Sequence, residues 1–453
     1  MRVDFDREEY RVVLVEPGSR RVRVYVEGGA LRLPRIEIPR GARVVSELQT
    51  ALIRVWGVRV FILDFVPTEP GASPCVLGRL LEVRDAVDFL AVDPDQIPDQ
   101  ELSEQERRLV QVMLEDDPRN PVSRVGWIEE AVAWVESATG LRVCSGADVQ
   151  QHNAGGGFML VQFLMEDGHS FWLKATGAPN LHERHVTELL ATLYPPSLPH
   201  IVATKPEWNA WLMSGEALSL TSLPADAVTV LRLLGGAVKS LAELQIETIG
   251  RESLFFAVGA ADQRLDVVRD RSHQLFAYVA EAMSYQVSTK VPRIGTARLN
   301  EMRQVLERVC GHFDRLGTPS TILHGDMNLG NLVFSEDRCQ FIDWCEGYVG
   351  HPFVTFQHIL LLNPLKDSEG KDWVNEALRG VYRAAMTKVC DPQVVEHSFA
   401  CMAFFGAVSA LYGRGNWPND VRRDSLQLGY VRTIARQMDR SAREPAFQDA
   451  LAV

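Results

Sequence analysis

The chain has 453 residues, 46% of them hydrophobic and 23% charged, and a formal net charge of −12. That length fits roughly two to four domains of ordinary globular composition. The acidic balance, with no basic block to offset it, argues against nucleic acid or an anionic membrane as the main partner. The start, Met1 to Arg7, is too charged for a signal peptide, and no apolar run approaches the ~20 residues of a membrane-spanning helix. The seven cysteines are scattered and lack a Cys-x-x-Cys pair. They read as buried thiols in a reducing compartment, so the expected location is cytoplasmic.

In chain order, residues 10–16 and 21–27 flank Pro17-Gly18-Ser19 and predict a β-hairpin. Leu33 to Ile38, a helix from about Val44 to Trp56, Gly57 and a strand from Val58 to Leu63 follow. This order of elements resembles a Nudix domain. The resemblance implies a helix whose glutamates hold Mg²⁺ against a diphosphate. Setting Gly57 on the final glycine of the Nudix box puts Thr50, Ala51, Arg54 and Val55 where the family has Arg-Glu and Glu-Glu. The other acid falls on Ala42, and the first glycine on Ile36. A cation in place of a metal ligand repels the metal. Residues 1–88 are therefore expected to form a Nudix-like domain without hydrolase activity, serving a ligand-sensing or structural role.

Residues 89–140 read as a polar linker with a helix at Glu101 to Leu114 and an amphipathic helix over 125–138. Residues 141–214 read as a small β-rich lobe. Gly155, Gly156 and Gly157 precede a strand from Phe158 to Leu164, and a turn at 166–169 leads to a second strand, Ser170 to Thr176. A glycine turn between strands lets backbone N–H groups approach nucleotide phosphates. Lys174 in the returning strand stands where kinases keep the lysine that contacts those phosphates. Such a lysine needs a carboxylate partner, and the next helix offers Glu183 and Glu188. Two further strands, Leu198 to Thr204 and Ala210 to Met213, complete the lobe.

Residues 215–453 read as a mainly helical lobe, with helices at 226–249, 261–290, 295–316, 372–390, 394–412 and 421–442. Within it lies His324-Gly325-Asp326-Met327-Asn328-Leu329-Gly330-Asn331, then a short strand, a polar hairpin at 335–338, and Phe341-Ile342-Asp343-Trp344. Asn331 is five residues after Asp326, and Asp343 twelve after Asn331. An amide oxygen and a carboxylate are hard ligands suited to Mg²⁺, and Asp326 is placed to orient a hydroxyl and accept its proton. This is the layout of a kinase catalytic loop.

The motif resembles the aminoglycoside phosphotransferase and choline kinase-like family, whose loop usually reads His-Gly-Asp-Leu-His-x-Gly-Asn. The likeness is detailed over about 150–215 and 320–357. It implies an α+β, bilobal protein kinase-like fold preceded by the Nudix-like domain. It also selects Glu183 as the partner of Lys174 and places a hinge after Trp211-Leu212-Met213, through Ser214 and Gly215, with Met213 and Ser214 as nucleotide-binding residues. Asn331 and Asp343 become the metal ligands, Asp326 the catalytic base and His324 its brace. The implied reaction moves the γ-phosphate of ATP or GTP to a hydroxyl of a small molecule, with Mg²⁺ and with no nucleic acid or membrane partner. The rival expectation is a nucleotide-binding pseudokinase sensor without turnover. Asn328 and Leu329 depart from the family's His-Pro, which bears on the acceptor. Glu346 reads equally as a group near metal or acceptor and as a turn-capping acid.

Overall fold

The computed structural model describes residues 7–452, apart from 17, 42, 70, 84–87, 116–120, 145–148, 216–221, 225, 336–337, 418–424 and the side chains of 425–426. Two compact units are present: Met1–Arg184 with His200–Glu216, and His185–Pro199 with Ala217–Val453.

The first unit opens with β1 (Arg7–Val15), β2 (Val22–Glu27), β3 (Ala30–Arg32), β4 (Arg35–Pro39), α1 (Val44–Trp56), β5 (Val58–Val66), β6 (Cys75–Val83) and β7 (Leu90–Val92). They form a mixed sheet of order β3-β2-β1-β6-β5, in which β4 also pairs with β1 and β7 with β2. The expected hairpin is β1–β2, registered by Leu14 against Arg23. The expected helix is α1, which lays Val45, Leu48 and Leu52 on one face of the sheet. The sequence reading passed over β6, which pairs antiparallel with β5 just before it and parallel with the remote β1.

Next come α2 (Glu104–Leu114), α3 (Trp127–Thr139), β8 (Val149–Asn153), β9 (Phe158–Leu164) and β10 (Ser170–Thr176). Then follow the first turn of α4 (Glu183–Leu193), β11 (Ile201–Lys205) and β12 (Ala210–Ser214). Ser103 and Glu106 form a capping box that starts α2. Arg11 binds Glu106, and Arg32 and Arg35 bind Glu101, so buried carboxylates fasten the α2 region to the first sheet. The last five strands make an antiparallel sheet of order β11-β12-β10-β9-β8. One apolar cluster runs from Val13, Phe61 and Leu77 through Trp127 and Val135 to Val161, Leu173 and Leu212. The first sheet thus shares a core with the strand that carries Lys174.

The second unit holds the rest of α4, then α5 (Ala227–Thr248), α6 (Glu252–Ala257), β13 (Ala261–Gln263), α7 (Leu265–Asp270), α8 (Ser272–Ser284) and α9 (Thr296–Arg315). After these come β14 (Thr321–His324), β15 (Leu332–Phe334), β16 (Cys339–Phe341), β17 (Gly347–Gly350), α10 (Phe353–Leu361), α11 (Ser368–Met386), α12 (Pro392–Tyr412), α13 (Ser425–Ser441) and α14 (Pro445–Leu451). The single helix expected over 261–290 is corrected to a strand and two helices. β13 is drawn out by parallel pairing with β17, a partner that local periodicity cannot register. The final helix expected over 421–442 is α13, followed by the separate α14. Residues 421–424 lie outside those described.

Contrary to the sequence reading, α12 is long and apolar enough to cross a membrane, with a mean hydropathy of 1.5 over its best window. Within the fold 67% of that window is buried. Its apolar residues serve two clusters at once, Phe404 and Phe405 in one and Val395 and Met402 in the other. A helix apolar all round is expected in such a place.

Beside α12, His351 is wholly buried among Phe313, Phe353 and Phe405, and burial pushes its imidazole down to about 3. A base depressed on folding stabilises the native state above its unfolded value and loses that contribution as pH falls through the window between the two. Stability should therefore drop between pH 6.5 and 3 by as much as ~1.4 kcal/mol per unit. Melting curves across that range should show a shallower acid slope for His351→Phe than for the wild type.

Candidate functional site

In the first unit Lys174 lies in the middle of β10, opposite Leu160 of β9 and Trp211 of β12. Its ammonium donates to Glu183 Oε1 at 2.5 Å, and the two side chains are 5% and 1% exposed. Phe158 and Trp211 present their rings to the same ammonium at 4.6 and 5.7 Å. Buried charges persist only when paired with good geometry. Of the two carboxylates open to sequence reading, the structure brings Glu183 to Lys174.

Asn209 fixes that pairing and was missed at the sequence level. It sits in the left-handed region at φ 46°, after a Pro-Glu-Trp turn. Its amide nitrogen reaches the carbonyls of Thr176 and Leu181 and the Thr176 hydroxyl, while its oxygen accepts from Arg184. One side chain thus ties the end of β10 to the start of α4. An asparagine after a proline-led turn was the available signal.

Gly155, Gly156 and Gly157 form the turn between β8 and β9, closed by the Phe158 N–H donating to the Gly155 carbonyl at 3.2 Å. Gly155 has φ +107°, where a side chain would be strained. Met213 pairs with Trp172 and Ile201 inside the sheet, and the Ser214 N–H donates to the His200 carbonyl at 2.9 Å. These backbone groups are held by neighbouring strands up to the end of β12.

In the second unit β14 runs antiparallel to β17 and delivers His324 to the loop that follows. The His324 Nε2–H donates to the Ile342 carbonyl at 2.9 Å, and its N–H donates to the Thr355 hydroxyl of α10. The histidine therefore ties the loop's entry to the segment bearing Asp343. Asp326 is exposed. The Asn331 amide nitrogen donates to the Asp326 carbonyl at 2.7 Å and to its carboxylate at 3.3 Å. That commits the nitrogen and leaves the amide oxygen, a hard acceptor, for a cation.

The Ile342 N–H donates to the Asn331 carbonyl beside the β15–β16 ladder, so the hairpin carries Asn331 and Asp343 on adjacent strand ends. Asp343 has φ 67° and ψ 63°. Among the described residues only it and Asn209 are non-glycines with positive φ, and such backbone strain gathers at functional positions. Asn328, which departs from the family motif, accepts from the Gly330 N–H and caps the turn leading to Asn331.

Glu346 follows in the turn before β17. Burial, then the neighbouring Asp326 carboxylate, pushes its carboxyl above the ordinary range, and the Tyr348 side chain hydrogen-bonds to it. Burial also lowers His358 of α10, with His324 next in effect. Gly325 is fixed by close approach: an added Cβ would stand 2.5 Å from Tyr348 Cε2 and 3.0 Å from the Glu346 carbonyl. Gly325→Ala should cost about 1–3 kcal/mol as the loop is forced outward. Thermal melts beside activity assays should show both falling.

On α1 the positions aligned with Nudix ligands carry Thr50, Ala51, Arg54 and Val55, of which Ala51 is buried against the sheet. Ile36 is buried in β4, and Ala42 lies outside the described residues. No carboxylate stands at the described box positions.

The first unit thus holds a strand lysine paired with a buried glutamate, and the second a His-Gly-Asp loop with its asparagine and a hairpin ending in aspartate. Residues 177–385, just under half of the chain, match the model of the phosphotransferase enzyme family. Residues 1–88 lie outside the match. Among solved structures, a macrolide 2′-phosphotransferase from Brachybacterium faecium is 17% identical, covering 67% of this chain and 96% of that one, with a TM-score of 0.44. A choline/ethanolamine kinase family protein from Mesorhizobium loti is 14% identical, covering 72% and 98%, with a TM-score of 0.45. An ethanolamine kinase from Plasmodium vivax is 12% identical, covering 79% and 98%, with a TM-score of 0.45. No curated protein matches the chain.

Proposed function

We propose that this protein transfers the γ-phosphate of ATP or GTP to a hydroxyl group of a small molecule. The observation that carries this reading is the grip of the Asn331 amide on both the carbonyl and the carboxylate of Asp326. It orients an exposed carboxylate as a proton acceptor and reserves an amide oxygen for a cation. Asp326 would align the acceptor hydroxyl and take its proton. His324 would brace the loop through Ile342. Asn331 and Asp343 would hold Mg²⁺, which supplies charge neutralisation along the phosphates.

Lys174, held by Glu183, would position the nucleotide phosphates, and the turn Gly155-Gly156-Gly157 would offer backbone N–H groups to them. The chain beyond Met213 and Ser214 would meet the base. Transfer proceeds through a loose transition state, so positioning and electrostatics supply most of the catalysis. The test is ATP and GTP consumption with Mg²⁺ across aminoglycosides, macrolides, amino alcohols and sugars. Turnover that depends on one acceptor class supports the reading. Nucleotide binding with no acceptor-dependent turnover on the whole panel favours a nucleotide sensor.

A further inference from the structure

We infer that Asp64, on β5 of the N-terminal sheet, is a positioning residue for the nucleotide-binding glycine turn. Its carboxylate oxygen Oδ2 accepts from the Gly156 N–H at 3.2 Å and from the Ser123 hydroxyl at 3.0 Å. Its other oxygen accepts from the Phe65 N–H at 2.8 Å. Asp64 is therefore held from its own strand and from the segment before α3, and reaches across to the turn between β8 and β9. The fit is close: a Cβ on Gly155 would stand 2.8 Å from Asp64 Oδ1. On the opposite side the Gly156 carbonyl stands where a Cβ on Gly177 would be, and the Gly177 N–H donates to the Gly157 carbonyl at 3.1 Å.

A second strut joins the same elements. The buried Gln151 side chain of β8 pairs with the backbone of Ile62, accepting from its N–H at 2.9 Å and donating to its carbonyl at 2.6 Å. β8 is thereby docked on β5 two residues from Asp64, with the glycine turn following directly.

Three consecutive glycines lose more backbone freedom on ordering than any other tripeptide. A turn meant to meet phosphates must have that freedom removed by something outside itself. Asp64 does this through a charge-assisted hydrogen bond, stronger than a neutral one. Pre-ordering the turn lowers the entropy lost when nucleotide binds. This assigns the N-terminal sheet a task in donor binding, and it rests on the phosphotransferase reading insofar as the turn meets phosphate.

Three full-length proteins test it: wild type, Asp64→Ala and Asp64→Asn, each checked for an unchanged melting profile. Titration with ATP and Mg²⁺ should give a Kd about tenfold higher for Asp64→Ala, equivalent to ~1.4 kcal/mol. Asp64→Asn keeps an acceptor in the same volume and should stay within about threefold of wild type. Without nucleotide, the Gly156 amide should exchange hydrogen faster in Asp64→Ala than in the other two. If Asp64→Ala does not fold, Ser123→Ala, which removes the brace, should show the same changes at smaller size.

Equal or tighter ATP binding by Asp64→Ala overturns the assignment and leaves the phosphotransferase reading in place. Unchanged exchange at Gly156 overturns the anchor itself. A wild type that binds neither ATP nor GTP overturns the proposed function together with the role in donor binding.

Discussion

Asp326→Asn should abolish acceptor-dependent nucleotide consumption while leaving the fold intact. Removing a positioned general base typically costs 10²- to 10⁴-fold, so turnover should fall by about that factor. The side chain is exposed and sits in a loop already fixed by the Gly325 N–H bond to the Glu346 carbonyl and by Asn328. Its neutral amide occupies the same volume, so the melting temperature should move little. Nucleotide affinity should also change little, because the proposed phosphate and metal contacts lie on other residues. Assays of kcat and nucleotide Kd on the same preparation check this. A variant with full turnover would remove Asp326 from the chemistry.

Breaking the Lys174–Glu183 pair should give the largest loss of stability. Each partner is almost wholly buried, so Lys174→Met or Glu183→Leu alone removes a buried charge's ion-pair partner. Such losses run to about 3–5 kcal/mol. For a unit of this size that corresponds to a fall of roughly 6–20 °C in melting temperature. The double substitution leaves no stranded charge and should be more stable than at least one single variant. Calorimetry on the four proteins gives the coupling directly. ATP binding separates the two roles of the pair: the double variant should recover stability without recovering affinity. Recovery of both would leave Lys174 with a structural role alone.

Much of the candidate site's local geometry was legible because its signal is local. The offsets among His324, Asp326, Asn331 and Asp343 are set by a tight loop and a hairpin, and short-range geometry fixes what such a stretch can do. α1 was legible for the same reason: its apolar spacing and the glycine after it need no partner elsewhere. Lys174 was readable as a charged residue in an otherwise apolar strand.

Other features depended on contacts between segments far apart in the chain. β13 is a strand because the remote β17 pairs with it, β6 lies between the nearby β5 and the remote β1, and β pairing is decided by neighbours more than by the segment's own residues. The buried α12 passes a test of length and apolarity, and only its packing shows which surfaces it covers. Asn209 and Asp64 are short polar residues with no motif around them. Their importance lies in the distant backbone groups they reach, from 28 to 92 residues away.

The sequence by itself determined the local arrangement, because short spacing suffices to bring Asp326, Asn331 and Asp343 onto one loop and hairpin. The residues alone left Glu183 and Glu188 open, the family resemblance chose Glu183 and the tertiary structure brings it to Lys174; that the N-terminal sheet holds the glycine turn was decided by the tertiary structure alone. Both outcomes depend on which distant backbone groups and charges burial brings face to face.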